Sequence, residues 1–264
     1  MRLALAEEIF LPKIRLLREA SLELLFPATC SVCGVRLGWG EQTKGPVCTA
    51  CWGQVRLIQP PICSICGQPL SDEVSRDSVE EIMIKCSSCK ECSPVFSRAR
   101  SIFYYEGPIR HLIHEFKYRG KVSVGKFLAR SIVSLWDSCQ VGIPSPDCIV
   151  PVPIGIKKLR QREFNQSLIL ARQIGKLLKV PVYPFALKRV KEVAPQMKLS
   201  REERMRNVQN AFQVRNERKV CGRRVLLVDD VFTTGATARE CSLVLRQKGV
   251  REVSVLTLAR SVLG

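Results

Sequence analysis

The residues best suited to chemistry stand together near the C-terminal end, where two adjacent carboxylates precede a short loop of hydroxyls and glycine. Asp229 and Asp230 follow the apolar run 225–228, and the loop opens a predicted helix, Ala236–Lys248. In such an arrangement backbone N–H groups, hydroxyls and the positive end of a helix converge on an anion. Paired carboxylates would repel a phosphate and instead accept hydrogen bonds from sugar hydroxyls. The stretch therefore predicts a ribose-5-phosphate site, with the phosphate held by Thr233, Thr234, Gly235, Ala236 and Thr237.

A basic segment further upstream could hold additional negative charge. The predicted strand Cys148–Val152 is followed by a turn that contains Lys157, Lys158, Arg160 and Arg162. A cation-rich turn of this kind could neutralise a pyrophosphate group. The alternative is a basic turn that faces solvent and has no partner.

Eight of the thirteen cysteines form four pairs with C-x2-C spacing, which is typical of zinc knuckles. Two pairs make each group of four thiolates: Cys30, Cys33, Cys48 and Cys51, then Cys63, Cys66, Cys86 and Cys89. Four thiolates leave zinc no open position, so the sequence predicts two structural zinc sites rather than catalytic ones. Disulfides and inert core cysteines are the alternatives, and Cys92 could replace Cys86 or Cys89 as a ligand.

The chain of 264 residues divides by composition into three parts. Residues 1–27 predict an amphipathic helix ended by Pro27, residues 28–95 a Cys-rich module, and residues 96–264 an alternation of strands and helices. The strands are predicted at Ser101–Tyr105, Cys148–Val152, Val180–Phe185, Val225–Val228 and Val253–Leu258. The helices are predicted at Ile109–Tyr118, Val124–Trp136, Gln166–Leu178 and Ala236–Lys248. This alternation predicts an α/β fold with a largely parallel sheet flanked by helices, preceded by the small Cys-rich module.

The net charge of +18 belongs to the C-terminal part of the chain. Residues 97–264 hold 32 Lys and Arg against 13 Asp and Glu, whereas residues 1–96 are nearly neutral. A field of this sign favours phosphorylated small molecules, nucleic acid or an acidic surface, and the alternative is a basic surface without a special partner. No uncharged run approaches the ~20 residues of a membrane helix, and no signal-peptide pattern is present. We therefore expect a cytoplasmic location, where paired cysteines favour metal over disulfides.

Several motifs, spread over about residues 24–260, resemble known proteins. The stretch Val225–Thr237 resembles the signature of type I phosphoribosyltransferases that binds phosphoribosyl pyrophosphate (PRPP). Further motifs resemble the ComF (ComFC-type) competence family, which joins a double zinc ribbon to a phosphoribosyltransferase domain. They are Tyr104–Gly107, Phe116–Gly120, Arg162–Gln166, Arg204-x2-Asn207 and Ala211-Phe212. Glu163 stands where the family has glycine, so a positive φ at this position would strain the backbone.

The resemblance implies roles for the residues already singled out. Asp229 and Asp230 would be the catalytic-site pair that holds the ribose 2′- and 3′-hydroxyls, and the Thr233–Thr237 loop would hold the 5′-phosphate. Mg²⁺ would accompany PRPP, the basic turn would face pyrophosphate, and Arg204 would lie in a mobile flap. Lys117 could face the acceptor of the transferred group. Two functions remain open: a transferase that displaces pyrophosphate, or a PRPP-sensing protein that handles single-stranded DNA with other competence proteins and has no turnover.

Overall fold

The computed structural model describes residues 28–38, 45–70, 84–139, 141–191 and 201–261. The helix predicted at 1–26 lies outside these residues. The chain forms two compact units, residues 1–54 and residues 55–264, so the second cysteine group belongs to the same unit as the sheet. The domain boundaries predicted from composition, after residues 27 and 95, remain a prediction.

The described residues of the first unit contain the first cysteine group and the short helix α1 (Thr49–Gly53). Cys48 caps this helix, because its sulfur accepts a hydrogen bond from the backbone N–H of Cys51. An isolated antiparallel bridge joins Thr29 to Arg36 around the first knuckle.

In the second unit, the described elements alternate between helices and strands. The helices are α2 (Ser87–Glu91), α3 (Gly107–Tyr118), α4 (Val122–Ser134), α5 (Ile156–Arg162), α6 (Gln166–Leu178), α7 (Arg201–Val208) and α8 (Ala236–Gln247). The strands are β1 (Arg98–Tyr104), β2 (Cys148–Pro151), β3 (Leu187–Arg189), β4 (Phe212–Val214), β5 (Arg224–Phe232) and β6 (Glu252–Arg260). Strands β1, β6, β5 and β2 form a sheet in that order with parallel pairing, and β3 and β4 form a separate antiparallel pair. The predicted fold class, a parallel sheet flanked by helices and preceded by a Cys-rich module, is confirmed.

Apolar runs at the centre of the sheet explain why it forms here. Residues 225–228 of β5 and 253–259 of β6 are buried, as expected for central strands that are covered by helices on both faces. Strand β2 pairs with β5 so that Pro151 lies beside Val228. The segments that follow these two strands therefore leave the same edge of the sheet, which is where ligands bind in folds of this kind.

Two sequence-based predictions are wrong at the level of single elements. Val180–Phe185 is not a strand, because only Val182 forms an isolated bridge, to Ile149. Pro181 and Pro184 lack the N–H that a longer ladder needs. The basic turn after β2 is helical, since Lys157 to Arg162 lie in α5.

Candidate functional site

The two carboxylates lie at the end of β5 and have different surroundings. The Oδ1 atom of Asp229 accepts hydrogen bonds from the Ser167 hydroxyl at 2.8 Å and from the backbone N–H of Asp230 at 2.8 Å. The Oδ1 atom of Asp230 lies 2.8 Å from the Nζ atom of Lys117, and both side chains are largely buried. The acid pair is thus held by one hydroxyl, one amide and one ammonium.

Ser167 reaches Asp229 because the start of α6 is fixed to the end of β2. Asn165 caps α6 by accepting a hydrogen bond from the backbone N–H of Ser167 at 3.1 Å. Its side-chain amide also donates to the carbonyl of Val152 at 3.0 Å. Sequence reasoning missed Ser167, although Asn165 directly before a predicted helix was a signal for a cap beside the site.

Lys117 is positioned by its two neighbours on α3. The Phe116 ring stacks on Phe164 with centroids 5.6 Å apart, and the Tyr118 ring lies under the Arg162 guanidinium at 4.8 Å. The last turn of α3 therefore contacts the end of α5 and Phe164 just after it, as well as Asp230. The sequence suggested Lys117 only for the acceptor, and the structure pairs it with the acid pair.

The charges at this edge of the sheet shift the pKa values of three groups. Burial, together with the charge of Asp230, raises the pKa of Asp229 to about 7. For Lys117, burial opposes the charged form, but the charges of Asp230 and Asp229 outweigh it and the pKa rises. Burial, with the nearby charges of Arg189 and Arg162, lowers the pKa of Lys158. Lys158 is therefore a weakly solvated cation close to the acid pair.

The raised pKa of Asp229 predicts a cost to stability that grows with pH. In the unfolded chain an Asp ionises near pH 4, so the folded state is increasingly disfavoured as pH rises from about 4 to about 7. Asp229→Asn should therefore raise the free energy of unfolding more at pH 8 than at pH 5, by about 2 kcal/mol. Chemical denaturation of ligand-free protein at both pH values measures the difference. An equal effect at the two pH values would contradict it.

The predicted phosphate loop joins β5 to α8. Gly235 has a φ of +77°, and a Cβ atom there would lie 2.6 Å from the Phe232 ring, so the position requires glycine. The Thr234 hydroxyl accepts a hydrogen bond from the backbone N–H of Ala236 at 3.4 Å. Residues Thr233 to Ala236 border a cavity of about 230 Å³. The chain thus places the acid pair and the start of a twelve-residue helix only a few residues apart.

The predicted cations lie on two helices, α5 and α7. Arg162 donates to the side-chain carbonyl of Gln166 at 3.1 Å, while Arg162 Nε and Gln166 Nε2 are buried without a hydrogen-bond partner among the described residues. Lys157 and Arg160 are exposed on α5. Arg204 lies on α7, which packs against α8. Of the predicted cations, Lys158 interacts electrostatically with Asp230, and Arg162 contacts Gln166 at the start of α6.

Glu163 has a positive φ, with φ 65° and ψ −8° at the end of α5. A left-handed conformation costs a residue with a Cβ atom about 1 kcal/mol. Glu163→Gly should therefore stabilise the protein by up to about 1 kcal/mol, offset in part by the greater chain entropy of glycine. Thermal unfolding measures this, and Glu163→Ala, which keeps the Cβ atom, is the control. A glycine variant less stable than the alanine variant would contradict the expectation.

Both cysteine groups have the geometry of closed four-thiolate zinc sites. In each group the four sulfur atoms lie within 4.8 Å of one another. The Cys33–Cys48 and Cys66–Cys86 sulfur pairs are 3.8 and 3.6 Å apart, close to the ~3.8 Å edge of a tetrahedron with Zn–S bonds of about 2.3 Å. Backbone N–H groups of Val32 and Cys48 point at the sulfur of Cys30, as knuckle turns require. The two groups fit structural zinc.

Cys92 lies outside the second group. Its exposed sulfur accepts a hydrogen bond from Arg239 at 3.0 Å, whereas the four clustered sulfurs are those of Cys63, Cys66, Cys86 and Cys89. The structure thus places the predicted ligands together, and Cys92 is not among them.

Fold and site together define the class of protein: an α/β protein with a parallel sheet flanked by helices, joined to a double zinc ribbon. The double zinc ribbon domain family matches residues 21–93. The chain is 32% identical to competence protein F of Haemophilus influenzae over 83% of this chain and 92% of that protein. The chain belongs to the competence protein F family.

Two further similarities were found, one to a relative in sequence and one to a solved structure. The chain is 30% identical to the DNA utilization protein YhgH of Escherichia coli K12, over 90% of this chain and all of that protein. Adenine phosphoribosyltransferase from Leishmania tarentolae is a partial structural neighbour, with 14% identity, a TM-score of 0.34 and coverage of 55% and 74% of the two chains. Among the described helices, none has both the length and the apolar character to cross a membrane.

Proposed function

We propose that this protein binds PRPP at the carboxyl edge of the sheet and transfers its phosphoribosyl group to an acceptor. The observation that carries the proposal is the arrangement of opposite charges around the end of β5. An acid pair, Asp229 and Asp230, leads directly into a loop at a helix N-terminus, and Lys117 lies against the pair. A ribose with phosphates at both ends matches this order of groups.

The buried donors beside α5 support a second phosphate-binding position. Burying an N–H group without a partner costs about 1–3 kcal/mol, so native structures rarely keep one without a reason. Arg162 Nε and Gln166 Nε2 are two such donors, and Lys158 adds a poorly solvated positive charge near them. The oxygens of a pyrophosphate would satisfy both donors and the cation.

The reaction then follows from the positions of these groups. A nucleophile forms a bond to C1′ of the ribose, the C1′–O bond to pyrophosphate breaks, and the leaving oxygen takes the electron pair. Asp229 and Asp230 would orient the ribose through its hydroxyls, while Lys117, Lys158 and Arg162 would stabilise charge that builds on pyrophosphate. The carboxylate oxygens of Asp229 and Asp230 fit Mg²⁺, which prefers carboxylate and phosphate oxygens as ligands. When bound, Mg²⁺ would neutralise the pyrophosphate.

The proposal is tested by calorimetric titration of the full chain with PRPP in the presence of Mg²⁺. We expect a saturable site with one PRPP per chain, and ribose 5-phosphate should compete for it. The same samples are then assayed for pyrophosphate release with amines, nucleobases and oligonucleotides as acceptors. Failure of PRPP to bind would reject the proposal, and release with one acceptor class would define the reaction.

A second candidate function is the handling of single-stranded DNA without turnover. It is favoured by the surplus of 19 positive charges in residues 97–264 and by the name of one relative, a DNA utilization protein. Binding through phosphates should weaken steeply with salt, since each neutralised phosphate releases counterions. PRPP binding without pyrophosphate release, combined with salt-sensitive binding of a single-stranded oligonucleotide, would favour this function over transfer.

A further inference from the structure

The second cysteine group lies directly behind the phosphate loop, and one arginine connects them. Arg260, the last residue of β6, donates from Nη1 to the carbonyl of Cys66 at 2.7 Å and from Nη2 to the side-chain oxygen of Gln68 at 2.6 Å. The same Nη2 atom lies 3.7 Å from the Cys66 sulfur. The guanidinium is thus fixed by the second half of the knuckle that contains Cys63 and Cys66.

The guanidinium of Arg260 also contacts Phe232, the last residue of β5, which directly precedes the phosphate loop. Its carbon lies 4.6 Å from the centre of the Phe232 ring, and Phe232 and Arg260 are partners in the pairing of β5 and β6. The Phe232 ring in turn occupies the space that a side chain at Gly235 would need. The position of Phe232 therefore determines which conformations are open to Gly235 and its neighbours.

A cavity borders the phosphate loop on the side that faces the knuckle. The cavity of about 230 Å³ lies between the loop and the knuckle, and its walls include Thr233, Ala236, Cys66 and Cys89. Phe96 contacts Phe232 edge-on at 6.2 Å between centroids. Because this cavity leaves room beside the loop, the loop can shift if the contact between Arg260 and Phe232 is lost.

The knuckle itself is held rigidly against the sheet. The carbonyl of Ile65 accepts a hydrogen bond from the backbone N–H of Ala99 at 2.7 Å, and a Cβ atom at Gly67 would lie 2.7 Å from the Ala99 carbonyl oxygen. Arg100 donates to the carbonyl of Ser64 at 3.0 Å. A metal-bound knuckle is therefore a fixed platform for Arg260.

From these contacts we infer that Arg260 is a positioning residue through which the second cysteine group fixes the phosphate loop. With zinc bound, the knuckle holds Arg260, Arg260 holds the Phe232 ring, and the ring holds the loop around Gly235. The effect on PRPP rests on the proposed function, whereas the effect on the loop does not.

The test compares two arginines that bind the same knuckle. Arg260→Met removes the guanidinium that touches both Cys66 and Phe232, while Arg100→Met removes one that binds Ser64 and Ile65 but is not the partner of Phe232. Hydrogen exchange of the zinc-loaded, ligand-free full chain should be at least about tenfold faster for amides of residues 232–237 in Arg260→Met and unchanged in Arg100→Met. PRPP affinity should fall about tenfold, or about 1.4 kcal/mol, in Arg260→Met alone.

Phe232→Leu keeps the contacts of Arg260 with the knuckle and removes the stacked ring. It therefore tests the same inference if Arg260→Met does not fold. It should accelerate exchange of the same amides, retain the zinc content of the wild type, and show less than additive effects when combined with Arg260→Met. Unchanged loop exchange in both Arg260→Met and Phe232→Leu would overturn the inference. If the wild type fails to bind PRPP, the proposed function is rejected, and the exchange result still decides the role of Arg260.

Discussion

Replacement of both carboxylates, Asp229→Asn with Asp230→Asn, should reduce PRPP affinity by at least about 100-fold. Each carboxylate would accept charge-assisted hydrogen bonds from the ribose, worth about 1.5–3 kcal/mol apiece, and an amide accepts only weaker ones. The Asn side chains preserve shape, and the hydroxyl of Ser167 can still donate to the oxygen at position 229. The loss should therefore come from charge and not from a collapsed site.

The matched control for this variant is Asp147→Asn. Asp147 is an exposed carboxylate on the same unit, where it pairs with Arg224 at 3.1 Å away from the acid pair. This variant should bind PRPP as the wild type does, and both variants should keep the zinc content of the wild type. Calorimetry with Mg²⁺ and atomic absorption on the same samples measure the two quantities. Retained PRPP affinity in the double variant would remove the acid pair from the site.

Cys63→Ser should cause the largest loss of stability. Cys63 is fully buried, and its sulfur is one of the four in the second cysteine group. Closed four-thiolate sites in small zinc modules contribute on the order of 10 kcal/mol of binding free energy, which is also folding free energy. A serine hydroxyl is a poor zinc ligand, so we expect one zinc fewer per chain and a loss of about 5 kcal/mol or more.

Cys92→Ser is the control for that variant. Cys92 lies three residues after Cys89 in the sequence, but its exposed sulfur contacts Arg239 instead of the group. The variant should retain the zinc content of the wild type and lose less than about 1 kcal/mol. Zinc quantification after gel filtration and denaturant unfolding measure both effects. Zinc loss in Cys92→Ser with retention in Cys63→Ser would reverse the assignment of ligands.

The sequence determined the features that depend on short spacing. C-x2-C pairs bring two sulfurs to one turn wherever the turn lies, so the two groups of four could be predicted from the spacing. An apolar run, an acid pair and a Thr/Gly loop similarly predict a buried strand followed by a helix N-terminus, as β5 and α8 are.

Only the tertiary structure decided which distant segments meet. The pairing of β2 with β5 brings Ser167 to Asp229, and the packing of α3 brings Lys117 to Asp230, across about 60 and more than 100 residues respectively. The prediction of a strand at Val180–Phe185 was wrong because it rested on apolar content alone. The prolines of this segment lack the backbone N–H groups that strand pairing needs. The contact of Arg260 with both Cys66 and Phe232 has no local signal, since a sheet register sets it. Local chemistry follows from neighbouring residues, whereas partners far apart in the chain are chosen by packing and strand order.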